Sequence, residues 1–152
     1  MKLKMIGYWA ATAAIALETL AGGVTDLIHG RTGLVTGEPV AQIVTREGYP
    51  LYLLTILGVW KLLGGITLLA PRLPRLKEWA YAGIFFELTG ALASGIAQGG
   101  DPGTYVWPPL ILALLTLASW ALRPPGRTLR RLFPTRPNKE APAKHAQATI
   151  SG

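Results

Sequence analysis

Apolar residues along the chain gather into four runs of about 20 positions, the length that crosses a bilayer core as an α-helix. They cover residues 6–28, 49–70, 76–97 and 105–122. The polar positions between them set a direction. Lys2 and Lys4 precede the first run, and Arg72, Arg75 and Lys77 fill the connection "PRLPRLK". A basic tail follows the fourth run, whereas "QGGDPGT", after the third, has no positive residue. Lysine and arginine favour the cytoplasmic flanks of membrane spans, so both termini are expected on that side. Trp9, Trp79 and Tyr81 near one face and Tyr49, Tyr52, Tyr105 and Trp107 near the other fit the preference of amphipathic rings for headgroup level. The length of the first run, and Glu18 inside it, argue against a cleaved signal peptide. The pattern predicts an all-α fold: a transmembrane four-helix bundle over residues 1–122 with cytoplasmic N and C termini.

The connections carry their own signals. In "TGEPVAQIVTREG", Pro39 can open a helix, Val40, Ile43 and Val44 share a face, and Gly48 can close it. This predicts a short interfacial helix between spans one and two, serving either as a plain linker or as a lid. Pro108 and Pro109 stand at the start of span four, where missing amide donors cost least. Pro124 and Pro125 end it. Residues 123–152 are polar, basic and proline-rich, and read as a disordered cytoplasmic tail resting on anionic headgroups.

Inside the runs, ionisable residues are the exception that asks for an explanation. A charge at mid-membrane costs about 2.5–3.5 kcal/mol on insertion scales, so such groups face a bundle interior and find partners. Glu18, Lys61 and Glu87 each lie near the middle of a span and should share one depth, within about one turn at 1.5 Å per residue. Gly58, Gly64 and Gly65 neighbour Lys61 at helical spacing; Gly83, Gly90 and Ala91 neighbour Glu87, with Ala80 and Ser94 a turn further; Ala14, Ala21 and Gly22 neighbour Glu18. Small residues mark close helix packing in membranes, so the three groups are expected to converge. One lysine between two carboxylates leaves a formal charge of −1, to be met by a proton or a cation. Such a cluster either fixes helix register or forms a functional polar site. Asp26, with Thr25 and His29, lies near the end of span one and is placed either to line an entrance or as an ordinary interfacial residue.

Composition narrows the classes. Half of the 152 residues are hydrophobic and 15% are charged, against roughly a quarter charged in soluble domains. The net charge of +7 is concentrated from Arg123 onward, where Arg123, Arg127, Arg130, Arg131, Arg136, Lys139 and Lys144 face the single acid Glu140. A nucleic-acid-binding domain is therefore a poor reading. The absence of cysteine excludes disulfides, thiol redox chemistry and cysteine-held metal or haem within the chain. With His29 and His145 the only histidines and neither mid-span, a bis-histidine haem bundle is excluded too, and no metal site is expected.

The stretches "GYP", "LGVWKLLG", "LLAPRLPRLKEWAYAG" and "FFELTGA" resemble the DoxX-like family of small four-helix membrane proteins. The resemblance is densest over spans two and three, looser to residue 122, and does not reach the tail. It implies four spans and sets Gly58, Trp60, Lys61 and Gly64 in span two, with Lys77, Glu78, Trp79, Tyr81 and Glu87 around span three. Relatives often carry aspartate in place of Glu87 and histidine in place of Gly95, so a metal or haem role at the latter is not carried over. The family takes its name from a subunit associated with quinone-linked oxidoreductases. That implies residence in the bacterial cytoplasmic (inner) membrane and a membrane subunit of a redox system binding a quinone. Lys61 would donate to a carbonyl, Glu87 or Glu18 would relay a proton, and Trp60 with Phe85 or Phe86 would flank the ring. No self-contained catalytic motif or cofactor is evident beyond that quinone, and the partners expected are the lipid bilayer, an oxidoreductase or a second copy. A small solute or proton-coupled transporter and a non-catalytic scaffold are the other readings of the same cluster.

Overall fold

A computed structural model describes residues 2–29 and 39–124. The beginning of the first connection and the tail from 125 onward lie outside the described residues. The elements are α1 (Lys2–Leu27), α2 (Val40–Arg46), α3 (Tyr52–Leu69), α4 (Pro74–Ala97), α5 (Pro102–Tyr105) and α6 (Trp107–Ala121). All are helical, and their bounds track the apolar runs. α1 starts earlier than its run, since lysine and leucine are good helix formers that carry the helix beyond the hydrocarbon boundary. α2 forms where Pro39 opens it, and it closes into Gly48, whose φ of 84° is open to glycine at little cost. α5 is a single turn fixed by Asp101, which accepts hydrogen bonds from the backbone N and the hydroxyl of Thr104 at 3.0 and 3.1 Å.

The four long helices form a ring: α1 packs on α3, α3 on α4, α4 on α6, and α6 returns to α1. Ile15, Leu68, Tyr81, Ile84, Leu88 and Ala113 make its buried core, with Ala80, Phe85, Leu112 and Leu115 packed around them. Among the described residues, three stretches are long and apolar enough to cross a membrane: α3, α4 and the α5–α6 unit. α1 has the length, 26 residues or about 39 Å, but is less apolar. Outward-facing Leu17, Val24, Ile56, Val59, Ile66, Ile111 and Leu114 are all about half exposed or more. Apolar surface on this scale does not suit a water-soluble monomer. The chain is a multi-pass membrane protein whose outer surface is solvated by lipid.

At the end holding the chain termini, the α3–α4 connection is tied down. Lys77 is 1% exposed and its ammonium donates to the carbonyls of Thr67 (2.9 Å) and Leu68. These are last-turn carbonyls of α3 that no intrahelical donor reaches, so the lysine closes the helix end with a charge of favourable sign. Tyr81, expected at the interface, is instead 4% exposed and shares a 2.8 Å hydrogen bond with Ser119, because its ring points into the bundle from the first half of α4. Trp79 remains on the surface at 80% exposure, as an interfacial ring should.

Candidate functional site

The site begins with glycine contacts between α1 and α3. A Cβ added to Gly23 would lie 3.1 Å from the Gly58 carbonyl, one on Gly58 2.9 Å from the Gly23 carbonyl, and one on Gly65 2.7 Å from Leu20. Only glycine allows the two backbones this approach. The register it imposes lays Lys61 across Gly22, so that a Cβ there would stand 3.5 Å from Nζ of Lys61 and 3.6 Å from Oε1 of Glu18. Glu18 and Asp26 lie four residues to either side of Gly22 and therefore share its face of α1. The ammonium of Lys61 meets Oδ2 of Asp26 at 2.8 Å and Oε1 of Glu87, from α4, at 2.9 Å. The Asp26 contact is ionic rather than a well-directed hydrogen bond. Glu18 borders the same patch without an ion pair of its own among the described residues. The side chain of Asp26 is 2% exposed, that of Lys61 17% and that of Glu87 24%.

Above this cluster lies a cavity of about 480 Å³. Glu18, Thr19, Gly22, Thr25, Asp26, Lys61 and Glu87 line its polar part; Leu53, Leu54, Leu57, Ile84, Leu88 and Leu112 make apolar walls. Val40, Ile43 and Val44 of α2 close it at the end away from the termini, so the interfacial helix covers the cavity as well as linking two spans. Two contacts hold that end: Tyr49 and Ser94 share a 3.0 Å hydrogen bond, and Arg46 donates to the Tyr105 hydroxyl. Glu47, at the C-terminal edge of α2, also lines the cavity, and burial pushes its carboxyl above the usual carboxylate range. Glu18, Asp26 and Glu87 face one ammonium, a formal charge of −2 if all three ionise. That excess can be met by protons, by a cation, or by hydrogen-bond donors on a ligand. Among the described residues no three His, Cys, Asp or Glu side chains are arranged to hold a metal ion.

The residues singled out by sequence divide cleanly. Glu18, Lys61 and Glu87 come together, and Asp26, Ser94 and Phe86 line the same cavity. Asp26 is more than an entrance residue, since it is the most buried member of the cluster and a direct partner of Lys61. Trp60 and Phe85 are not on the cavity wall. Trp60 is 67% exposed, as its place beside Lys61 in sequence turns it about 100° around the helix toward lipid. Phe85 points into the core and packs edge-on to Phe86 at 5.9 Å between centroids. The small-residue stripe of α4 also departs from expectation: nothing lies within 4 Å of a Cβ built on Gly83 or Gly90, so this face stands open.

A second polar layer, near the termini, was not visible as a unit in the sequence. Tyr81 bonds Ser119, Ser119 bonds Thr12 at 2.8 Å, and Thr12 donates to the Tyr8 carbonyl at 2.7 Å. Beside it Arg123 pairs with Glu78 at 2.7 Å and stacks 4.9 Å over the Tyr81 ring, while Nε1 of Trp120 donates to Glu78 at 2.8 Å. Arg123, grouped with the tail by charge, is 8% exposed and packs with the bundle. The motif "KEWAY" was the available signal, because Lys77, Glu78 and Tyr81 each supply one of these contacts.

No curated protein and no solved structure matches the chain. The sequence pattern of the DoxX-like family matches residues 10–119, which takes in all four long helices and both polar layers except Tyr8 and Arg123. The chain belongs to the DoxX-like family.

Proposed function

We propose that the protein binds a quinone or a similar lipophilic molecule in the cavity over the Lys61 cluster, as the membrane subunit of a redox system in the bacterial cytoplasmic membrane. The observation that carries this reading is the conjunction of a largely apolar cavity of about 480 Å³ with one ammonium and three carboxyl groups at its base. Cavities of this size take drug-sized ligands, whose few polar atoms are oriented by a few polar side chains. Lys61 is placed to donate to a carbonyl oxygen of the ring. Reduction of a quinone to a quinol consumes two electrons and two protons; Glu18, Asp26 and Glu87 are the groups to hold and relay those protons. The electrons come from a partner oxidoreductase, since the chain has no cysteine. Phe86 on the cavity wall replaces Trp60 and Phe85 as the ring neighbour. In this reading α1 is the fourth span and both termini face the cytoplasm, following Lys2, Lys4 and the basic segment from Arg123. A reporter fused after residue 152 should be active only on the cytoplasmic side.

The test is titration of decylubiquinone into the purified protein, followed by tryptophan fluorescence. Saturable quenching that weakens in Lys61→Met and Glu87→Gln supports the reading, and absence of saturable binding by the wild type overturns it. The surplus of carboxyl groups favours a second reading, a small proton-coupled transporter using the same cluster. Solute flux in proteoliposomes that follows an imposed pH gradient, without quinone binding, would select it.

A further inference from the structure

We infer that the cavity's ligand arrives sideways from the bilayer, through the seam between α3 and α4, so that its class is a molecule dissolved in the membrane and not a solute from the aqueous face. This inference rests on the reading of the cavity as a lipophilic-ligand site. Both helices flanking the seam contribute cavity wall: Leu57 and Lys61 from α3, Phe86, Glu87, Gly90 and Ala91 from α4. Phe86, Gly90 and Ala91 are exposed on the outside of the bundle as well, so one face of each meets lipid and another meets the cavity. A Cβ built on Gly90 meets nothing within 4 Å, whereas one on Gly64, nearer the terminal end of the same seam, would lie 3.8 Å from Ile84. The seam is therefore shut at one end and open beside the cluster.

The exposures follow the same geometry. Lys61 and Glu87, which bridge the seam, are 17% and 24% exposed, while Asp26 on the far wall is 2% exposed. Thr19, on that far wall, is 2% exposed and makes no directed hydrogen bond, leaving a polar atom lining the cavity for a ligand to meet. Other routes are closed. The α1–α3 seam is sealed where Gly23 and Gly58 touch backbone to backbone, and Tyr105 fills the space over Gly95, where a Cβ would stand 2.8 Å away. The end away from the termini is covered by α2 and its Tyr49–Ser94 tie.

The experiment uses the full chain in liposomes and decylubiquinone, with binding rates read by stopped-flow tryptophan quenching. Gly90→Leu places a side chain in open space, so the fold is kept while the opening narrows. Expected are association and dissociation rates that both fall by about tenfold with the dissociation constant unchanged, as a gate requires. Ala93→Leu, on an exposed face of α4 away from the cavity, should change neither. Unaltered rates in Gly90→Leu, or a raised dissociation constant without slower exchange, would overturn the inference. A second readout needs no ligand. The chain has no native cysteine, so a spin label on Gly90→Cys reports this position alone. Relaxation dominated by oxygen supports an opening to hydrocarbon; relaxation dominated by a water-soluble nickel chelate overturns it. If decylubiquinone fails to bind at all, the ligand reading falls and the label still decides the opening.

Discussion

Replacing Lys61 by methionine tests the electrostatic logic of the bundle most directly. The ammonium contacts Asp26 at 2.8 Å and Glu87 at 2.9 Å. At an effective dielectric of about 20 each contact is worth about 6 kcal/mol of gross attraction. The net loss is smaller, because the desolvation cost of the lysine disappears with it and the stranded carboxyls can take up protons. Breaking a buried pair by removing one partner costs about 3–5 kcal/mol. The partial exposure of Lys61 and Glu87 places this case at the low end, about 3 kcal/mol. A second substitution that removes a stranded acid should restore part of that loss, and burial decides which acid matters more. Asp26, at 2% exposure, has no route to solvent, whereas Glu87, at 24%, can turn outward. Lys61→Met/Asp26→Asn should recover about 2 kcal/mol and Lys61→Met/Glu87→Gln about 1 kcal/mol, within the usual range of couplings between contacting residues. Unfolding by SDS in dodecyl maltoside micelles, followed by circular dichroism, gives each free energy. Double variants no more stable than Lys61→Met, or a larger rescue through Glu87 than through Asp26, would refute the argument.

Three further outcomes follow from other parts of the molecule. Gly58→Val should cost about 1–3 kcal/mol by overpacking, since its Cβ would press on the Gly23 backbone, while Gly83→Ala, in open space, should be neutral or slightly stabilising in the same unfolding assay. Lys77→Met leaves the Thr67 and Leu68 carbonyls without their charged donor and should cost about 1.5–3 kcal/mol without changing ligand affinity. The raised carboxyl of Glu47 makes the covering of the cavity by α2 pH-dependent: its folded form binds a proton more tightly, so that contribution is complete below the ordinary glutamate range and is lost as pH rises through the elevated value. Labelling of Val44→Cys should therefore accelerate with pH more steeply than labelling of Val44→Cys/Glu47→Gln, and identical profiles would remove Glu47 from the explanation.

The long helices were legible in the sequence because lipid demands an unbroken apolar run, and that demand can be counted along the chain. The convergence of Glu18, Lys61 and Glu87 was legible for a related reason, since an ionisable group in hydrocarbon has few places to go. Asp26 was underrated because its depth was judged from its distance to the middle of α1. The true register depends on Gly22 and Gly23 meeting Gly58 and Lys61, a tertiary contact that sets Lys61 halfway between two acids. Trp60 and Phe85 were misjudged on a different ground. In a membrane both the inside and the outside of a bundle accept aromatic rings, so hydropathy is silent about which way they turn. The same blindness made Gly83 and Gly90 look like packing surface. Small size permits close approach but does not summon a neighbour.

The tie between Lys77 and the end of α3 gives the α3–α4 hairpin the mechanics of a clothes-peg, sprung at one end and free at the other. From Lys77 to Gly90 is about 20 Å along α4, so a tilt of only about 3° at the clamp moves the free jaw by about 1 Å. Lipid pressure or a partner pushing on the basic "PRLPRLK" turn would thus be magnified at the far tip without any side chain near the acids being touched.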